Sequence, residues 1–217
     1  MIGPNRIYKL LLRRFGFQNW WPGETSFEVF VGAILTQQTS WKNVEKAIAA
    51  LKKAQCLNLD CIATIDISQL EMLIRPSGYY RQKAKRLKSI CRAIKINYGS
   101  LESFFNTNVN ELRERLLNFN GIGKETADSI ILYAANKPVF VIDLYTRRAL
   151  NRINRISMLK DYDALQMYFY RNVKPDINLY KDIHAQFVEL GKKYCKKDPE
   201  CEQCPLKNYC SFANSKK

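Results

Sequence analysis

A hydrophobic repeat at spacings of three and four residues recurs along most of this chain, interrupted only by short polar or Gly- and Pro-bearing breaks. Such spacing lines apolar side chains along one face of an α-helix, whereas a half-buried strand needs strict alternation. From Phe27 to Leu51 the apolar positions Phe30, Val31, Ile34, Leu35, Val44, Ala47, Ile48 and Leu51 are broken only by Thr36-Gln37-Gln38-Thr39. That predicts two helices with a functional turn between them. Ile67–Ile74 and Gln82–Tyr98 repeat the pattern around Arg75-Pro76-Ser77-Gly78, as Val109–Phe119 and Thr126–Ala135 do around Asn120-Gly121-Ile122-Gly123. Beyond Pro138 it resumes at Leu144–Ile153, Asp161–Asn172 and Ile177–Lys193. Val139–Ile142 reads as β, but four residues alone build no sheet. The predicted fold class is all-α.

With 217 residues and 47% hydrophobic content, the chain can bury an ordinary core as one unit or two packed lobes. It carries 35 Lys and Arg against 20 Asp and Glu, a formal net charge of +15. Such an excess points to a polyanionic partner, nucleic acid first and an acidic membrane surface second. No apolar run is long enough to span a bilayer, and Arg6, Lys9, Arg13 and Arg14 interrupt the N-terminus. The expectation is a cytoplasmic, monomeric protein that is not exported and has no membrane partner.

Seven cysteines are unevenly placed. Cys56, Cys61 and Cys91 are scattered and read as small buried side chains. Cys195, Cys201, Cys204 and Cys210 crowd the C-terminal end with gaps of five, two and five residues. Four thiolates at that range hold zinc or a [4Fe-4S] cube. One close pair with two wider arms, in place of two separate knuckles, favours the cluster.

Gly121 and Gly123 stand two apart at the junction of two amphipathic helices, with Lys124 beside them. Glycines let a phosphate approach the backbone, and a helix start offers it unpaired N–H groups; the same pattern also fits a plain turn with a glycine cap. Asp143 follows the apolar run 139–142 and precedes a helix, so it is a helix cap or a functional carboxylate at the core's edge.

Leu116 to Asp128, followed by Val139-Phe140-Val141-Ile142-Asp143, resembles the helix-hairpin-helix signature of the endonuclease III-like DNA glycosylases, and the resemblance covers nearly the whole chain. Within that superfamily the chain is similar to the 3-methyladenine DNA glycosylase III type, through Trp20-Trp21-Pro22, Leu35 to Thr39, Arg75 to Leu87 and Gly121 to Glu125. The resemblance implies two helical lobes: a six-helix barrel at 20–137 containing the hairpin, and a second lobe from 1–19 and 138–217 carrying Asp143 and the iron–sulfur loop. It implies double-stranded DNA containing a damaged base as the partner, with Gly121, Gly123 and Lys124 on the backbone and Gln38 and Tyr79 filling the vacated stack. Asp143 becomes the carboxylate that stabilises the oxocarbenium character developing at the sugar.

Bifunctional members place a lysine where this chain has Glu125, so water hydrolysis without a lyase step is expected. Trp20, Trp21 and Trp41, with Glu125 and Lys192, match the base pocket, and aromatic faces suit the cationic ring of an alkylated purine. The endonuclease III-like motif differs from Cys195–Cys210 in having a first gap of six, and some of the 3-methyladenine type lack these cysteines, so the chain combines features of two branches. The expected activity is monofunctional excision of alkylated purines. The alternatives are an endonuclease III-like glycosylase and lyase acting on oxidised pyrimidines or mismatches, and a non-catalytic damage-binding protein. His184, the single histidine, reads as a satisfied helical residue.

Overall fold

A computed structural model describes residues 2–154 and 161–215; the lobe expected at 1–19 and 138–217 thus includes positions 1, 155–160, 216 and 217, which lie outside the described residues. Contacts gather the chain into two compact units, Met1–Trp20 with Pro138–Lys217, and Trp21–Lys137. The described elements are helical, and the fold is all-α.

The chain opens with α1 (Pro4–Phe15), in the first unit. The second unit then follows in order: α2 (Ser26–Leu35), α3 (Trp41–Lys53), α4 (Leu59–Thr64), α5 (Ile67–Leu73), a 3-10 turn at Arg75–Ser77, α6 (Tyr80–Tyr98), α7 (Leu101–Phe105), α8 (Val109–Leu117) and α9 (Lys124–Ser129), which runs on into a π-helical segment Ile130–Ala134. Local chemistry sets many of the starts. The side chains of Thr25, Asn58, Asp66, Ser100 and Asn108 each accept a backbone N–H from the first turn that follows, satisfying donors a helix cannot satisfy itself.

Every residue of α2 from Val29 to Leu35 is buried, and the helix packs against α3, α6, α9 and the π-helical segment. Its sequence is apolar on every side, as an enclosed helix requires. Eight α-helices lie in this unit, and two of them, α4 and α7, are too short to register as periodicity in the sequence.

In the terminal unit, α10 (Leu144–Asn154), α11 (Tyr162–Asn172), α12 (Ile177–Lys193) and α13 (Ser211–Asn214) follow the non-helical run 139–142. That run is buried and, among the described residues, pairs with no strand. Its backbone groups are met by α11: Phe140 N donates to Tyr170 Oη at 3.3 Å, Ile142 N to Tyr162 Oη at 3.3 Å, and Gln166 Nε2 donates to Phe140 O at 2.7 Å. Positions 162, 166 and 170 share one helix face, so a column of side chains does what a neighbouring strand would do.

One expectation is corrected. Cys56 and Cys61 are joined as a disulfide across the turn that starts α4, where Asn58 caps the helix and brings the chain back. Cys91 is buried in α6, and burial pushes its thiol pKa up.

Candidate active site

In the terminal unit, the buried run Val139–Ile142 delivers Asp143 to the first turn of α10. Its Oδ1 accepts the Thr146 N–H at 2.7 Å, so the helix-cap role is filled by one carboxylate oxygen. The other oxygen, Oδ2, lies 3.5 Å from His184 Nε2 on α12. Burial acts to raise the Asp143 pKa, but the His184 hydrogen bond and charge, together with Thr146, outweigh it and hold the carboxyl below its ordinary value. The Trp20 ring lies 5.4 Å from the His184 ring, and Lys192 Nζ stands 6.0 Å above the Trp20 ring. Asp143, His184, Trp20 and Lys192 therefore form one continuous group. His184 is 3% exposed and helical, as read, and its partner is the Asp143 carboxylate. A single histidine in an amphipathic helix gives no sequence signal of such a contact.

In the Trp21–Lys137 unit, the hairpin separates its two glycines by role. Gly121 takes φ of 82°, and a Cβ there would fall 2.0 Å from Arg86 Nε; Gly123 has φ of −93° and open space around it. The first is needed for conformation and close approach, while the second leaves the backbone at the start of α9 uncovered. Lys124 is half-buried and Glu125 exposed in the first turn of α9, where an acidic side chain suits the helix dipole.

Trp21 packs on Trp41 edge to face at 5.2 Å and on Tyr133 at 5.1 Å. Tyr133 belongs to the π-helical segment, a local widening the sequence pattern did not reveal. Trp20 and Trp21, adjacent in sequence, thus enter different side-chain groups.

Gln38 and Tyr79 are exposed. The basic run that follows Tyr79 divides in the fold. Arg81 and Lys85 are exposed, Lys88 donates to Ile65 O, Arg86 donates to Gln37 Oε1, and Lys83 is 2% exposed. Burial, with the Arg86 charge adding, draws the Lys83 ammonium pKa down to about 8.

Cys195, Cys201, Cys204 and Cys210 line one cavity with Ile153, Leu190 and Leu206. Burial pushes the Cys204 thiol pKa up to about 11, the other three cysteines adding to the effect. Arg152 Nη1 lies 3.4 Å from Cys195 Sγ and donates to Lys196 O at 2.5 Å, while Arg148 Nε donates to Cys195 O at 2.7 Å. Among the described residues no three Cys, His or acidic side chains are set to hold a single metal ion.

The model of the HhH-GPD superfamily of base excision DNA repair proteins matches residues 31–175. The chain belongs to that superfamily. Among members resembling this HhH-GPD chain, a provisionally assigned DNA repair glycosylase of Methanocaldococcus jannaschii is 48% identical over 94% of both chains. Endonuclease III of Thermotoga maritima is 30% identical over 86% of this chain and 83% of its own. The crystal structure of H. pylori 3-methyladenine DNA glycosylase bound to 1,N6-ethenoadenine is 35% identical, with a TM-score of 0.80, and covers 88% of this chain and 98% of that one. Among the described residues of this superfamily member, no helix is long and apolar enough to cross a membrane.

Proposed function

We propose that this chain is a monofunctional DNA glycosylase that hydrolyses the N-glycosidic bond of alkylated purines, such as 3-methyladenine, in double-stranded DNA. The observation that carries the reading is the Asp143 carboxylate, buried yet held ionised, with one oxygen fixed by the cap and the other beside His184. Cleaving the bond builds positive charge on the sugar, and a preorganised anion in a dry site opposes that charge more strongly than water can. The same carboxylate orients the attacking water. An alkylated purine leaves as a neutral base and needs no proton first, so Asp143 needs no companion acid. In this reading Trp20, Trp21, Trp41, Glu125 and Lys192 are base-recognition residues, the aromatic faces suiting a cationic ring. Glu125 stands where a lyase would need an amine, and Lys124, turned by about 100° along the helix, does not replace it. The identity to the H. pylori enzyme supports the alkylpurine assignment.

The four C-terminal cysteines are the ligands of a [4Fe-4S] cluster in this reading, and their one close pair with two wider arms speaks for it over zinc. The cluster's part is to brace the loop that holds it.

The Thermotoga relative favours a second reading, an endonuclease III-like glycosylase and lyase. Base release from a panel of alkylated, oxidised and mismatched duplexes separates the two, with borohydride trapping as the companion measurement. Release of 3-methyladenine with no trapped adduct is expected, and a trapped adduct on an oxidised pyrimidine would sink the monofunctional assignment. Asp143→Asn should lower release by about 100-fold or more while duplex binding persists. Unchanged behaviour of that variant in every assay would instead indicate a non-catalytic damage-binding protein.

A further inference from the structure

Four exposed residues of the Trp21–Lys137 unit, Gln38, Gln55, Tyr79 and Asn136, are left-handed without being glycine. Such a backbone is strained and persists only where its surroundings over-determine it. For two of them, Gln38 with φ of 53° and Tyr79 with φ of 47°, the segments that carry them are tied by one buried cation. Lys83 Nζ, on α6, donates to Leu35 O at 2.9 Å and to Ser77 O at 2.7 Å. Leu35 ends α2 and Ser77 ends the 3-10 turn, so both carbonyls are acceptors that their own helices leave unmet. The chain turns left-handed at Gln38, three residues past the first carbonyl, and at Gly78 and Tyr79, directly past the second.

One turn along α6, Arg86 donates to Gln37 Oε1, and Gln37 Nε2 donates to Gly121 O at 3.1 Å and Thr126 Oγ1 at 2.9 Å. Three segments, 36–39, 77–79 and 121–126, are thus tied to a single helix by two cations on one face. Among the described residues Lys83 has no carboxylate partner, and burying an unpaired ammonium is costly. A core position would be served better by an apolar side chain unless the two carbonyls had to be held.

We propose that Lys83 and Arg86 are positioning residues that keep Gln38 and Tyr79 set for insertion into the duplex, so that extrusion of the target nucleotide depends on them more than the bond-breaking step does. The inference rests on the reading of the chain as a glycosylase acting on an extruded base. A side chain that fills the vacated stack works only if its backbone is in place before the base leaves, and small misplacements of such groups are expensive.

The test compares Lys83→Met with the unaltered protein on one alkylated purine, placed in a duplex and in a single strand, with 2-aminopurine beside the lesion reporting extrusion. The expected result is a loss of about 10- to 100-fold in single-turnover release from the duplex, a clearly smaller loss on the single strand, and a weakened fluorescence rise. In a Gln38→Ala, Tyr79→Ala background the Lys83 substitution should add no more than about twofold, since residues acting through one another are not additive. Equal losses on both substrates, or full additivity in the altered background, would overturn the inference. Arg86→Leu, at a half-buried position, must show the same duplex-selective loss and serves if Lys83→Met does not fold. An unaltered protein that releases no alkylated base defeats the proposed function instead, and the 2-aminopurine signal then still decides positioning, because extrusion precedes chemistry.

Discussion

At the scale of single residues, Asp143 sits in a balance of opposed effects: burial disfavours its charge, and His184 and Thr146 restore it. Its folded pKa lies below the ordinary carboxylate value. The stability it contributes is therefore present above the unfolded pKa and is lost as pH falls through the lower folded one. On a pre-methylated substrate, which needs no proton, the rate should show no acid limb from Asp143 above about pH 4. His184→Leu removes the partner at Oδ2 and leaves burial less opposed, so the limb should move upward. Single-turnover release measured from pH 4 to 8 checks this, and an unmoved limb would show that His184 does not support the carboxylate. Asp143 stood out in the sequence because an apolar run and the glycine hairpin precede it in a pattern that resembles the family signature. His184, Lys83 and Arg86 did not, because each owes its role to a residue more than thirty positions away, and side-chain type alone carries no record of such pairings.

At the scale of elements, the hairpin makes a sharper claim in structure than in sequence, where its glycines looked equivalent. Gly121→Ala must place a side chain on left-handed backbone and displace Arg86, which would have to leave Gln37. We expect a loss of about 1–3 kcal/mol by urea denaturation together with weaker duplex binding. Gly123→Ala should change stability by less than about 1 kcal/mol, yet still weaken binding, because its methyl group covers the backbone a phosphate would approach. Equal stability losses in the two variants would contradict this division. The long helices were readable from their periodicity, whereas α4 and α7 offer fewer than two turns and leave none. Val139–Ile142 looked like a strand because its residues are β-branched and aromatic, and it is a buried run outside any helix. Its lone position is explained only by Tyr162, Gln166 and Tyr170. Gln166→Leu should leave the buried Phe140 carbonyl without its donor and cost about 1–3 kcal/mol, measured by the same denaturation.

At the scale of the whole molecule, the net charge of +15 announced a polyanion, but the folded chain shows how unevenly that charge is available. Lys83 and Arg86 are spent internally, Arg148 and Arg152 hold the start of the cysteine loop, and Lys196 and Lys207 pair with Glu200 and Glu202 at 2.5 and 2.6 Å. The division between Trp20 and Trp21 has no marker in the sequence either, since no Gly-, Pro- or Ser-rich linker stands there. The arginine grip gives the last prediction. Arg148 and Arg152 lie one turn apart on α10, the helix that Asp143 caps, so the start of the loop bearing the four cysteines is fastened to that helix away from Asp143. If those cysteines hold a cluster, Cys204→Ser should abolish absorption near about 400 nm. It should also loosen the loop and its lysines, whose surface pairs are weak and yield readily to phosphate. Affinity for undamaged duplex should then fall, and the slope of log affinity against log salt should become shallower by about one for each phosphate the loop no longer neutralises. The single-turnover rate at saturating enzyme should change less than the affinity does, because Asp143, Thr146 and His184 meet at the opposite end of α10. Anisotropy titrations between about 50 and 200 mM salt measure the slope. A slope equal to that of the unaltered protein would mean that the loop does not touch the DNA backbone, and a rate loss exceeding the affinity loss would mean that the cysteines support the carboxylate directly.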